Sequence, residues 1–296
     1  MNLLKLFVKL YQRGIRLFSR LTWGIWERLG FYIVPNHYYF PIPDSRELKK
    51  RKPWNYTYSM VGIMMNEQKQ LDLLKSFEVY KSEYTPKESS FESHGDGAVL
   101  HSMVRKFKPK MIIEVGSGFS TAVSLNAAKI NHKLGEDYTK IIAIEPYPSE
   151  FLRKLEKNNE NLTLVEKKVE NVNIKIFKNL SNNDFLFIDS THLVTCGNDV
   201  NYLYLNVLPN LPVGVLVHIH DIRYPYEYPK EWLLKKHYFW NEQYLLQAFL
   251  TFNSSFKILW AGNYMHRKYG DELEKILSGY SKKEGWPGSF WIKRIQ

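Results

Sequence analysis

The chain has one cysteine in 296 residues, Cys196, so no internal disulfide can form, and the composition fits a reducing compartment. It also lacks any uncharged apolar run approaching the roughly 18 residues that a membrane-spanning helix needs. Lys5 and Lys9 interrupt the apolar stretch that a secretory signal requires, so a cytoplasmic protein is expected. Neither an internal repeat nor a low-complexity tract occurs. Apolar residues make up 44% and charged residues 24%, which excludes disordered, collagen-like and disulfide-framework classes and leaves ample material for a core. Acids are short relative to bases, 30 against 41, giving a net charge of +11, and aromatics reach 15%. Nucleic acid, anionic membrane and phosphorylated substrates are the partner classes such a balance raises. The position of the charge separates them. Residues 1–53 hold eleven Lys or Arg against three acids, so the body beyond them is nearly neutral and a nucleic-acid partner is not expected.

Within that arm Lys5, Lys9, Arg13, Arg16 and Arg20 recur every three or four positions and stack along one helical face, with Leu, Phe, Val, Ile and Trp on the rest. A cationic stripe beside an apolar face is the pattern of a helix lying on an anionic membrane interface through residues 1–30. The same pattern serves a helix docked on its own domain or on a second copy in a homo-oligomer. Residues 31–56, with Pro35, Pro41, Pro43 and Pro53, read as an extended linker, because proline removes a donor and disfavours helix in the residue before it. The expected organisation is therefore a helical arm and linker over 1–56 and a catalytic domain over 57–296.

From residue 57 short β-rich runs alternate with helical stretches, the signature of a parallel sheet covered by helices. Strands are predicted at 111–115, 141–145, 162–166, 184–189, 213–220, 256–261 and 288–294. Helices are predicted near 66–78 and 96–107 and at 120–131, 149–158, 199–208 and 241–251. The first strand runs into Glu114-Val-Gly116-Ser117-Gly118-Phe-Ser120-Thr121. Two glycines let the backbone pass close to a ligand at the carboxyl edge of the sheet. Thr121 stands where a dinucleotide fingerprint carries a third small residue, and Glu114 would repel a pyrophosphate but suit a cation. Glu145, ending the second strand, stands where an acid accepts hydrogen bonds from a ribose diol.

The fourth strand runs into Asp189, Thr191 and His192, and the fifth into His218, His220 and Asp221. Both ends lie at the ligand-binding edge of a parallel sheet. Two chemistries follow. Asp189, His220 and Asp221 could hold a divalent cation such as Mg2+ that acidifies a substrate hydroxyl, or His192 or His220 could remove the proton directly. His218, deeper on the strand, is expected to be packed. Ser93, His94 and Asp96 precede a helix, Asp96 as its cap. The aromatic segment 224–240, with Glu227 and Asn241, reads either as a sugar-stacking surface or as a lid.

The order Glu114-V-G-S-G-F-S-T, Glu145, D-S-T-H at 189–192, Asp199 and G-V-L-V-H-I-H-D at 214–221 resembles class I S-adenosylmethionine-dependent methyltransferases. It is most similar to a branch found with bacterial cell-surface polysaccharide and secondary-metabolite biosynthesis, over about residues 57–296 and the P-N-H-Y-Y-F-P-I-P-D stretch at 35–44. The resemblance implies an α/β Rossmann-like, seven-stranded, mostly parallel sheet with an antiparallel last strand. It also implies an O-methyltransferase acting on a small-molecule saccharide or related metabolite, and the basic arm adds the expectation of a lipid-linked acceptor at the inner face of the membrane. Glu114, Gly116, Ser117 and Gly118 would then line the methionine part of S-adenosyl-L-methionine, Glu145 would hold the ribose, and Asp189 would lie beside the methyl donor. Catechol-type relatives carry an Asp-Asn or Asp-Asp pair where this chain has His220-Asp221. An NAD-type oxidoreductase and a non-enzymatic nucleotide- or RNA-binding module are the alternatives.

Overall fold

The computed structural model describes residues 3–37, 39–86 and 95–296, without the side chains of 3–10 and 12. Ser93 and His94 lie outside the described residues. The chain divides into two units, residues 1–56 with 228–239, and residues 57–227 with 240–296.

In the first unit, α1 (Leu3–Arg28) forms where apolar residues recur at helical spacing with no proline to interrupt them. It stops at Gly30, whose φ of 81° lets Phe31 N–H return to the Trp26 carbonyl at 3.1 Å. The chain then folds back, and Ser19 Oγ donates to the Ile33 carbonyl at 2.9 Å. The linker is not extended throughout. Ser45–Arg51 forms a short helix, α2, because Asp44 Oδ1 accepts from Arg46 N–H at 2.8 Å and Lys49, Lys50 and Arg51 crowd its C-terminal turn. Local capping there prevails over the flanking prolines. Among the described residues no helix is long and apolar enough to cross a membrane.

The second unit is an α/β sheet whose strands, in chain order, are β1 (Met111–Val115), β2 (Lys140–Ile144), β3 (Leu162–Val165), β4 (Phe185–Ile188), β5 (Leu216–Ile219), β6 (Phe256–Ala261) and β7 (Phe290–Arg294). Their spatial order is β3-β2-β1-β4-β5-β7-β6, parallel except for β7, which runs against both of its neighbours. All four residues of β4 and of β5 are buried, as befits parallel strands covered on both faces. The covering helices include α3 (Glu67–Lys75), α4 (Asp96–Phe107), α5 (Phe119–Lys133), α6 (Glu150–Lys157), α7 (Asp199–Tyr202), α8 (Glu242–Leu250) and α9 (Gly262–Ile276).

The helix predicted at 199–208 holds its α form for only one turn. It widens into a π turn over Leu203–Val207 and tightens to a 3-10 turn at Leu208–Asn210, where Pro209 has no N–H to continue the ladder. The chain leaves β1 toward β2 and β3 on one side and places β4 on the other. The crevice at the carboxyl ends of β1 and β4 is thus the switch point where open α/β sheets bind ligands.

Candidate functional site

Three strand ends are knotted together at that switch point. Gly116 N–H donates to the Ile144 carbonyl at 3.1 Å and Asp189 N–H to the Val115 carbonyl at 2.8 Å. Gly116 has φ of 76°, and a Cβ there would lie 1.8 Å from the Asp189 carbonyl oxygen, so only glycine lets β1 and β4 close on each other. A Cβ at Gly118 would meet no protein atom within 4 Å, which leaves that side of the turn open.

Glu114 is turned away from this opening. Its carboxylate is 1% exposed and takes hydrogen bonds from the Ser120 hydroxyl and, at 2.6 Å, from Thr121 Oγ1. Thr121 Oγ1 in turn accepts from Gly118 N–H at 3.1 Å. The threonine that departs from a dinucleotide fingerprint therefore ties strand, turn and helix. Burial pushes Glu114 up to about 7; the two hydroxyls oppose this and the charges of Asp189 and Glu145 reinforce it. Glu114 supports the turn from behind and is absent from the cavity wall.

The cavity beside the turn encloses about 420 Å³, within the range of small-molecule sites, and its wall includes Gly116, Glu145, Tyr147, Asp189, Thr191 and Asp199. Glu145 Oε1 accepts from Tyr147 N–H at 2.9 Å and Oε2 from Ser117 N–H at 3.4 Å, so the carboxylate is oriented by backbone on both sides. Ser117 Oγ is shielded from solvent without a hydrogen-bond partner in the chain. Lys168 and Glu170, after β3, also reach the wall. Neither stands out in the sequence, because their run reads as one more solvated charge cluster.

A second group adjoins Asp189. His192 adopts φ of 59°, and its ring is wedged among three carboxylates. Nδ1 lies 2.8 Å from Glu242 Oε2, while Nε2 lies 3.3 Å from Asp189 Oδ1 and 3.8 Å from Asp221 Oδ2. Burial works against its charge, but the bonds to Asp189 and Glu242 outweigh burial and push His192 up to about 10. Held between these carboxylates, the ring favours its charged form, which suits it to orienting Asp189. Its carbonyl accepts the N–H groups of Asn241 and Glu242 at 3.1 and 3.2 Å, and Trp240 packs on its ring at 4.5 Å. Glu242, fully buried, was not foreseen: an acid opening a helix fifty positions away carries no local mark of its partner.

His220 lies 4.0 Å from Asp221 Oδ1 through Nε2 and 3.4 Å from His218 Nε2 through Nδ1. Burial alone would lower it, yet the charges of Asp189, Asp221 and Asp96 hold it above the ordinary histidine value. His218 is 1% exposed and lies flat on Phe187 at 4.0 Å; burial takes it well below that value. Asp96 does not cap its own helix. Its carboxylate receives Gly288 N–H at 2.9 Å and Ser289 N–H at 3.0 Å, and the Gly288 carbonyl accepts from Ile222 N–H at 3.0 Å, which braces the loop carrying Asp221. Glu227 is likewise a buried brace, taking the hydroxyls of Tyr58 and Tyr244.

The structure thus brings Asp189, His192, His220 and Asp221 together, but not as a cation site. Among the described residues no three His, Cys, Asp or Glu side chains could hold a metal ion. His192 Nε2 instead lies between the two carboxylates, 3.3 Å from Asp189 Oδ1 and 3.8 Å from Asp221 Oδ2. The expected set Asp189, His220, Asp221 is corrected accordingly.

Residues 113–222 match the family model described as a methyltransferase domain. An uncharacterized protein of Archaeoglobus fulgidus is 27% identical over 174 residues, 53% of this chain and 77% of that protein. Among solved structures, the SAH-bound methyltransferase PaMTH1 of Podospora anserina aligns with 86% of this chain and 98% of its own at 15% identity and a TM-score of 0.44. A structure described as cmcI-D160 Mg-SAM aligns over 84% and 96% at 17% identity and a TM-score of 0.38.

Proposed function

We propose that the protein is an S-adenosylmethionine-dependent methyltransferase that methylates a hydroxyl of a saccharide or related metabolite. One observation carries this: every residue that lines the switch-point cavity lies between Val115 and Asp199, inside the stretch matching a methyltransferase domain. The wall chemistry agrees. Glu145, Glu170, Asp189 and Asp199 outnumber Lys168 and make it acidic, which suits a sulfonium and an ammonium and disfavours the pyrophosphate of a nicotinamide dinucleotide. Glu145 is oriented to accept from a diol, and Gly116 brings the backbone of the turn to the cavity wall.

S-adenosylmethionine supplies a methyl group on a positively charged sulfur, so the protein has to position an acceptor oxygen and take its proton. Asp189 is half-buried in the cavity wall, and His220 and His192 hold its carboxyl below the usual aspartate value, so it can accept a hydrogen bond from the acceptor's O–H. His192 positions Asp189 through the 3.3 Å contact and is itself fixed by Glu242. In this reading His220, whose ring meets Asp221 at 4.0 Å and His218 at 3.4 Å, takes the proton. The polyol character of the acceptor is supported by the hydroxyl, amide and carboxylate groups of Thr191, Asn198 and Asp199 at the same wall.

Calorimetric titration of the purified chain with S-adenosylmethionine and with NAD tests the cofactor. Binding of the first and not the second is expected, with Glu145→Ala weakening it by about tenfold or more. Binding of NAD alone would sink the proposal. Turnover on saccharide acceptors is expected to fall below detection in Asp189→Asn and to survive chelators.

A further inference from the structure

The first unit carries a surface that the methyl-transfer chemistry leaves unused. On α1, Tyr11, Leu17, Phe18, Leu21 and Ile25 fall on one side of the helix at 100° per residue, and all are solvent-exposed, Leu21 at 75% and Leu17 at 58%. Part of the opposite flank meets the chain's own return: the buried Ser19 donates to the Ile33 carbonyl, Trp26 packs on Phe31 at 5.2 Å, and the half-exposed Trp23 on Tyr32 at 4.7 Å. The helix thus uses part of one flank for its own fold and leaves an apolar stripe open on another.

Charge selects the occupant. Arg13 and Arg20 are exposed on the flank next to Leu17 and Arg16 farther round, and α1 carries Lys5, Lys9, Arg13, Arg16, Arg20 and Arg28 against one acid, Glu27. A helix face meant for another copy of the same chain would bring these cations against each other. An apolar stripe on a helix with six cations and a single acid, Glu27, instead matches a layer whose interior is apolar and whose surface is anionic.

We infer that the open face of α1 is a seat for an anionic lipid bilayer, lying in the interface plane with Leu17, Leu21 and Ile25 inward and Arg13 and Arg20 at the headgroups. The inference is independent of the methyl-transfer reading. It is tested on the full chain by co-sedimentation with phosphatidylcholine vesicles, with and without about one-third phosphatidylglycerol.

Binding to the anionic vesicles and not to the neutral ones is expected. The Leu17→Glu, Leu21→Glu double variant should abolish it, and Arg13→Glu, Arg20→Glu should weaken it by more than about tenfold. Because these side chains are exposed, both variants should keep the wild-type circular dichroism and unfolding temperature, which separates loss of binding from loss of fold. Three results would overturn the inference. They are no association with either vesicle, association unaffected by the Glu substitutions, and a sedimentation change in which those substitutions turn an oligomer into a monomer.

Discussion

Gly116 is the residue on which the sheet edge closes. Gly116→Ala puts a methyl group into the Asp189 carbonyl at a backbone angle that L side chains rarely adopt, and a loss of more than about 2 kcal/mol is expected in denaturant unfolding. Glu114 makes a pH-dependent contribution. Its value rises from 4.5 to about 7 in the fold, so the folded state favours the protonated form. That contribution is complete below 4.5 and is lost as pH rises through about 7. Glu114→Gln, which stays neutral, should therefore gain on the wild type between pH 5 and pH 8, by up to roughly 3 kcal/mol in paired unfolding curves. A constant difference across that window would show that Glu114 is not titrating there. His192→Ala is expected to cost about 3–5 kcal/mol, because it strands the fully buried Glu242 without its counter-charge. For turnover, His220 as acceptor predicts a rate that increases with pH, with its midpoint above 6.5, the ordinary histidine value.

At the scale of elements, the turn from β1 into α5 is held by side chains of the helix it opens. Thr121→Val preserves volume and removes both the bond to Glu114 and the acceptance from Gly118 N–H, at an expected cost of about 2 kcal/mol. If the turn shapes the cofactor seat, S-adenosylmethionine affinity measured by calorimetry should fall in the same variant. These elements were largely legible in advance. β1, β6 and α4 stand where periodicity puts them, since strands buried on both faces read as short apolar runs bounded by polar turns. The misreadings have local causes. Asp44 caps a helix in a stretch whose prolines argued for extension, and Pro209 breaks a pattern that otherwise continues as α-helix.

At the scale of the molecule, a ligand that binds only the folded state must raise its stability. S-adenosylhomocysteine at a hundred times its dissociation constant should add about 2.7 kcal/mol and raise the melting temperature by a few degrees. The basic excess does not belong to this chemistry: it sits on the arm, and the sheet-bearing unit is close to neutral. Amino-acid order alone determined the strand succession, the glycine turn, the acid after β2 and the amphipathic arm, because each depends on periodicity or on neighbours a few positions away. Only the tertiary structure decided what the buried ionisable groups do. His192 looked like a base or a bystander until Glu242, Asp189 and Asp221 closed around it, and Asp96 looked like a cap until it met Gly288 and Ser289. A charge in a low-dielectric interior is governed by whichever groups lie within a few ångströms, and those are chosen by the fold from distant parts of the chain.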